Sequence, residues 1–231
     1  MKKILVIAVT FLVLFSCNKK DENTMYVKGT IDGLKKGTLY LQKQIDSAFV
    51  SVDSISINGT SDFLLSDIVE SPEIYFLSLG KGYKNIPFFG EKDSITINTK
   101  LDKFELKAEI TGSENQDLWN KYTDIIKKFN NKNLDLIKED FEMRKLGNQD
   151  SIKIVESKRI RLLKTKSLYA VNFAIQNANY EVAPYIALTE VNRANIQLLD
   201  TINKSLTPAI KKSKYGKQLE EVLVELKAAK Q

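Results

Sequence analysis

Cys17 is the only cysteine in a chain of 231 residues, and there is no histidine. Those two facts remove most of the usual catalytic repertoire: no Cys-His or Ser-His pair, no CxxC, no zinc set of the common kinds and no imidazole to move a proton. No cysteine pair exists to form a disulfide, so packing alone must hold the fold. Carboxylates are plentiful but scattered. Lys138-Glu139-Asp140-Phe141-Glu142 reads as a solvated helix face, and no spacing supports the paired carboxylates of glycosidase chemistry. Five sites place Asp and a hydroxyl before an apolar residue, with the hydroxyls at Ser47, Ser54, Ser94, Ser151 and Thr201. Aspartate and serine are common turn and cap residues, which accounts well for Asp150. Lysines and arginines from Lys153 to Lys166 suit an anionic partner, without the aromatics that nucleic-acid stacking needs. Tyr83, Phe88 and Phe89, around Gly82 and Pro87, form either a ligand platform or the cover of one end of the β-rich part. These residues predict a non-enzymatic protein with no cofactor, no metal site and no nucleic-acid partner.

What Cys17 can do depends on what precedes it. Met1-Lys2-Lys3 is a basic start, Ile4 to Phe15 is an apolar run too short to span a bilayer comfortably, and Ser16 puts a small residue before the thiol. Leu14-Phe15-Ser16-Cys17 resembles the lipobox of bacterial lipoproteins, whose cysteine is acylated and becomes the new N-terminus after cleavage. The resemblance implies a signal peptide over residues 1–17, a polar tether over 18–24 and a membrane anchor at Cys17, since several acyl chains hold stably where one does not. It places the protein in the cell envelope as an outer-membrane lipoprotein facing the periplasm or the cell surface. Lys20-Asp21-Glu22 is similar to the short signal that some Bacteroidetes lipoproteins use to reach the outer face. The Asp-Ser/Thr sites likewise resemble the O-glycosylation acceptor motif of exported Bacteroidetes proteins, which would make Ser47, Ser54, Ser94, Ser151 and Thr201 modification sites.

The remaining chain divides by periodicity and by charge. Residues 18–112 carry 12 Lys/Arg against 14 Asp/Glu, and residues 113–231 carry 21 against 15. Over 25–112 apolar residues alternate with period two between closely spaced turn signals, which predicts an antiparallel β-sandwich of eight short strands. A register flip near Asp53-Ser54 predicts a bulge, Asn58-Gly59 predicts a two-residue hairpin turn, and Glu73 to Leu79 is apolar on both faces, as a central strand is. Pro87 marks an edge strand or a strand start, and Phe104, Leu106, Ala108 and Ile110 mark the last strand. From residue 113 to 231 the period becomes 3.6, predicting a helical hairpin or bundle: Ser113 and Gln116 make a capping box, Asn130 to Asn133 suit a kink, Gly147 stops the first helix and Asp150 caps the second. Pro184 and Pro208 fit first turns of further helices. The fold class is α+β in two modules.

Four segments then carry a family resemblance: Val52-Asp53-Ser54, Ser71 to Leu77, Phe88 to Ile97 and Ile110 to Asn115. They are similar to a β-rich domain of unknown function in Bacteroidetes lipoproteins that commonly precedes a thioredoxin-like domain. Ala183-Pro184-Tyr185 and Ser213 to Lys217 resemble the connector to that domain. The sequence departs from the longer members in having no redox CxxC, so no oxidoreductase activity carries over. Two roles follow as expectations. One is a binding or scaffolding module with a protein or glycan partner in the envelope. The other is an accessory subunit of a thiol-disulfide system whose redox domain lies on another chain.

Overall fold

A computed structural model describes residues 23–45, 48–80, 84–191 and 195–229. Cys17 with its signal segment, Ser47 and Tyr83 lie outside the described residues. Eight strands occupy the first half of the described chain: β1 (Thr24–Asp32), β2 (Lys36–Ile45), β3 (Ala48–Asn58), β4 (Asp62–Ile68), β5 (Glu73–Leu79), β6 (Asn85–Gly90), β7 (Asp93–Lys100) and β8 (Glu109–Thr111). They form two four-stranded sheets, ordered β4-β1-β7-β8 and β3-β2-β5-β6. Alternate residues of both sheets feed one buried cluster, including Val27, Leu39, Leu41, Leu65, Leu77, Phe88, Ile95 and Ile97. This is the period-two pattern turned into a shared core.

The pairing corrects several expectations. The sheets are not wholly antiparallel, because β1 and β7 run parallel from Met25↔Asp93 to Asp32↔Lys100. Gly29 sits where these strands approach: a Cβ there would lie 1.8 Å from the Ile97 carbonyl oxygen. Asn58-Gly59 does not close a hairpin. Gly59 takes φ +96°, as a turn glycine should, but the chain it turns leaves one sheet for the other, and β4 pairs with β1. A local turn signal fixes the turn and says nothing of the strand's partner. The predicted last strand is also shorter. Residues 101–103 form a 3-10 turn, Phe104 is buried from the following turn, Leu106 is 87% exposed and only Glu109–Thr111 pairs. The bulge is present, with Leu41 opposite Asp53 and Gln42 opposite Ser51, so Val52 is the extra residue.

Strand β5 shows why a run apolar on both faces is central. Tyr75 and Leu77 enter the cluster between the sheets, while Ile74 enters a second cluster made mainly by helices, with Phe76 packed against it. Pro87 lies on the edge strand β6, as its missing N–H requires.

The helices are α1 (Glu114–Lys145), α2 (Gln149–Gln176), α3 (Val182–Glu190), α4 (Ile196–Ser205), α5 (Pro208–Lys212) and α6 (Lys214–Ala228). Helices α1 and α2 make an antiparallel hairpin, packed through Tyr122 stacked on Tyr169 at 5.7 Å between ring centroids. The helix does not break at residues 130–133: the asparagines cost helix propensity but keep the backbone ladder, so α1 runs through as 32 residues. Asp150 is not the cap of α2. Asn148 takes that place, its Oδ1 accepting from the Ser151 N–H at 3.1 Å. Pro184 and Pro208 fall in the first turns of α3 and α5 as expected.

Candidate functional site

The helical part is fixed to the outer face of the β5–β6 sheet by specific polar contacts. Ser113 caps α1, accepting from the Gln116 N–H at 3.0 Å. Gln116 does not complete the capping box. It is buried, and its Oε1 accepts from the Phe89 N–H at 2.8 Å, supplying a partner on the edge strand. Ile74 N–H donates to the Tyr215 hydroxyl at 2.9 Å, and Lys214 pairs with buried Glu73. Phe89 is ringed edge-on by Trp119, Tyr185 and Tyr215. The expected aromatic platform is therefore corrected: Phe88 is in the inter-sheet core and Phe89 under the helices, both at 0% exposure. Burial pushes the Tyr215 and Tyr185 hydroxyls up, away from ionisation.

Of the recesses among the described residues, two bear on function. The first, about 650 Å³, lies beside Asn23, where the described chain begins, and is lined by Glu70, Glu91, Asp93, Glu114, Asp117 and Glu181. Much of its acidity already has structural work. Glu91 Oε1 accepts from the Glu114 N–H at 2.6 Å and Oε2 from the Asn115 amide at 2.8 Å, placing a carboxylate at the positive end of α1. Asn115 Oδ1 in turn accepts from the Val182 N–H, tying the starts of α1 and α3 together. Burial pushes the Glu181 carboxyl up, with neighbouring Glu91 adding to it and the Asn115 hydrogen bond opposing. Among the described residues no group of three His, Cys, Asp or Glu is arranged to hold a metal ion.

The second recess is a groove of about 690 Å³ along one side of the α1–α2 hairpin. Leu136 and Leu162 form its apolar floor together with Ile154, which is 56% exposed. Its rim carries Lys132, Lys153, Lys158 and Arg161 against the single carboxylate of Glu139. Glu139 is paired across the groove with Lys158 at 3.0 Å, and Lys166 reaches Asn130 Oδ1 at 3.1 Å. Among the described residues no ion pair joins Lys132, Lys153 or Arg161. Beyond Leu136 no residue of α1 is buried. The α1–α2 pair thus becomes an arm, with Phe141 63% and Leu146 72% exposed.

The predicted modification residues are dispersed. Ser54 is exposed on β3, Ser94 is exposed at the start of β7, Ser151 is half-buried in the first turn of α2, and exposed Thr201 donates to the Gln197 carbonyl within α4. The aspartates beside them act structurally. Asp53 accepts from the Ser54 and Ser66 N–H groups, Asp93 holds φ +86° at a turn, and Asp200 binds Lys204 and Lys227. The basic run Lys153 to Lys166 was legible in sequence as suited to anions. Ile154 and Lys132 were not singled out, although the surplus of apolar residues outside the packing stripe of α1 and α2 was the available signal.

Residues 25–119 match the model of a family described as a domain of unknown function (DUF4369). A domain of that family therefore spans β1 through the first turns of α1, so it includes Gln116 and Trp119 as well as the strands they pack on. No curated protein and no solved structure matches the chain.

Proposed function

We propose that this chain is an exported, lipid-anchored protein of the cell envelope that works as a non-enzymatic binding or scaffolding module. In this reading the two sheets form a β-sandwich platform, Cys17 carries the acyl anchor, and the α1–α2 hairpin is the part that meets a partner. One observation carries it: no side chain of residues 130–168 belongs to either buried cluster, yet Leu134, Ile137, Phe141, Ile160 and Leu163 stand at the surface. Isolated two-helix arms gain little from propensity alone, and large exposed apolar patches mark interaction sites more often than bare surface. The lack of any histidine, and of a second thiol, agrees with a binding role.

In-cell crosslinking with mass spectrometry, on the native protein and on Cys17→Ala, tests this. The native form is expected in the membrane fraction, crosslinked to envelope proteins or glycan-binding components. The variant is expected to leave that fraction. A Cys17→Ala protein that still fractionates with membranes would defeat the anchor. Recovery of a thioredoxin-like protein by the anchored form alone would favour the accessory role in thiol-disulfide chemistry instead.

A further inference from the structure

We infer that the groove between α1 and α2 is a docking site for an acidic amphipathic helix of a partner protein, an inference that rests on the binding role proposed above. The open side of two antiparallel helices is the shape a third helix fills, its apolar side chains settling on the floor between them. Here the floor is Leu136, Leu162 and Ile154, crossed at one point by the Lys158–Glu139 pair. The rim sets the partner's charge. Lys132 stands on one wall, Lys153 and Arg161 on the other, and none has a carboxylate partner among the described residues. Carboxylates flanking an apolar stripe, spaced three and four residues apart, would meet both walls.

Charge also separates this occupant from two others. Residues 127–166 carry 12 Lys/Arg against 6 Asp/Glu, so two arms laid groove to groove would repel. A bilayer is flat on this scale, and the floor is recessed, with Leu136 buried between the helices. Lipid would reach the rim and Ile154 and leave Leu136 uncovered. An acidic helix satisfies both.

The test is site-specific photocrosslinking in the native host, with a benzoylphenylalanine replacing Ile154 in the groove and, as control, Val224 on exposed α6. Tandem mass spectrometry identifies the crosslinked peptides. The expected adduct at 154 is to a protein segment of net negative charge with apolar residues at helical spacing. Its yield is expected to fall about tenfold in Lys132→Glu/Lys153→Glu/Arg161→Glu, with adducts at 224 unchanged. Lys153→Gln/Arg161→Gln, which removes the two unpaired cations of the α2 wall and leaves Lys132 and the Lys158–Glu139 pair intact, gives the same reading with a smaller loss if the reversed variant fails to fold. Adducts at 154 to lipid, to a second copy or to segments without net negative charge would overturn the inference, as would no adduct or a yield indifferent to the rim charges. Because Cys17 is untouched, membrane fractionation reports separately on the anchored-module reading.

Discussion

Asp200 shows how much a single half-buried carboxylate can organise. It accepts from Lys227 on α6 and from Lys204 one turn along α4, which holds it down at about 2, below the usual carboxylate range. A depressed folded value means the unfolded chain takes up the proton first. Stability from this group is therefore present above the unfolded value of about 3.9 and lost as pH falls toward 2. Asp200→Asn should lower stability at neutral pH and flatten that acid limb, readable from melts between pH 5 and pH 2. Glu181 works the other way. Its folded value is raised, so its ionised form opposes folding, and stability falls as pH rises above the unfolded value of about 4.3. Glu181→Gln is expected to remove that decline, and an unchanged pH profile would contradict its burial. At Gly29 the constraint is steric. Gly29→Ala must push β1 from β7, and a loss of at least about 2 kcal/mol in denaturant unfolding is expected.

At the scale of elements, the contact that joins sheet to helices is Gln116 on the Phe89 N–H. Truncating it to Ala leaves a buried donor unpaired, costing about 1–3 kcal/mol, measured as a lower unfolding midpoint at unchanged slope. Its sequence context read as half of a capping box, and the difference is instructive. Ser113 caps by a local bond that three residues of spacing can reveal, whereas the partner of Gln116 lies on β6, which only the assembled sheet brings near. The same division runs through the strands. Alternation placed Tyr75 and Leu77 opposite Ile74 and Phe76 and made β5 interior, because burial on two faces leaves its mark in one strand. The parallel pairing of β1 with β7 left none, since it depends on residues about 70 apart. Phe88 and Phe89 read as either a surface platform or a cover, yet β6 turns Phe88 into the core between the sheets and Phe89 under the helices. In the groove, the lysines were visible in sequence. Their separation into two walls over an apolar floor required the register of α1 against α2, which Tyr122 on Tyr169 fixes.

For the molecule as a whole, the uneven charge of the sequence resolves into a place. The arm over residues 127–166 carries 12 Lys/Arg against 6 Asp/Glu, while acidic side chains line the recess at the start of α1. The molecule is thus polarised along α1, and because that helix is unbroken it also measures. Its 32 residues rise about 1.5 Å each, close to 48 Å from the recess beside Asn23 to the turn at Gly147. If Cys17 carries the proposed anchor, the arm is a spacer of set length, with a heading set relative to the two sheets. Matched insertions of seven residues in both helices would lengthen that spacer by about 10 Å and nearly keep the heading, whereas insertions of four would rotate the groove by about 40°. If a partner must be met at a fixed standoff, the first change should shift which partner is reached, and the second should turn the groove away from any partner at all.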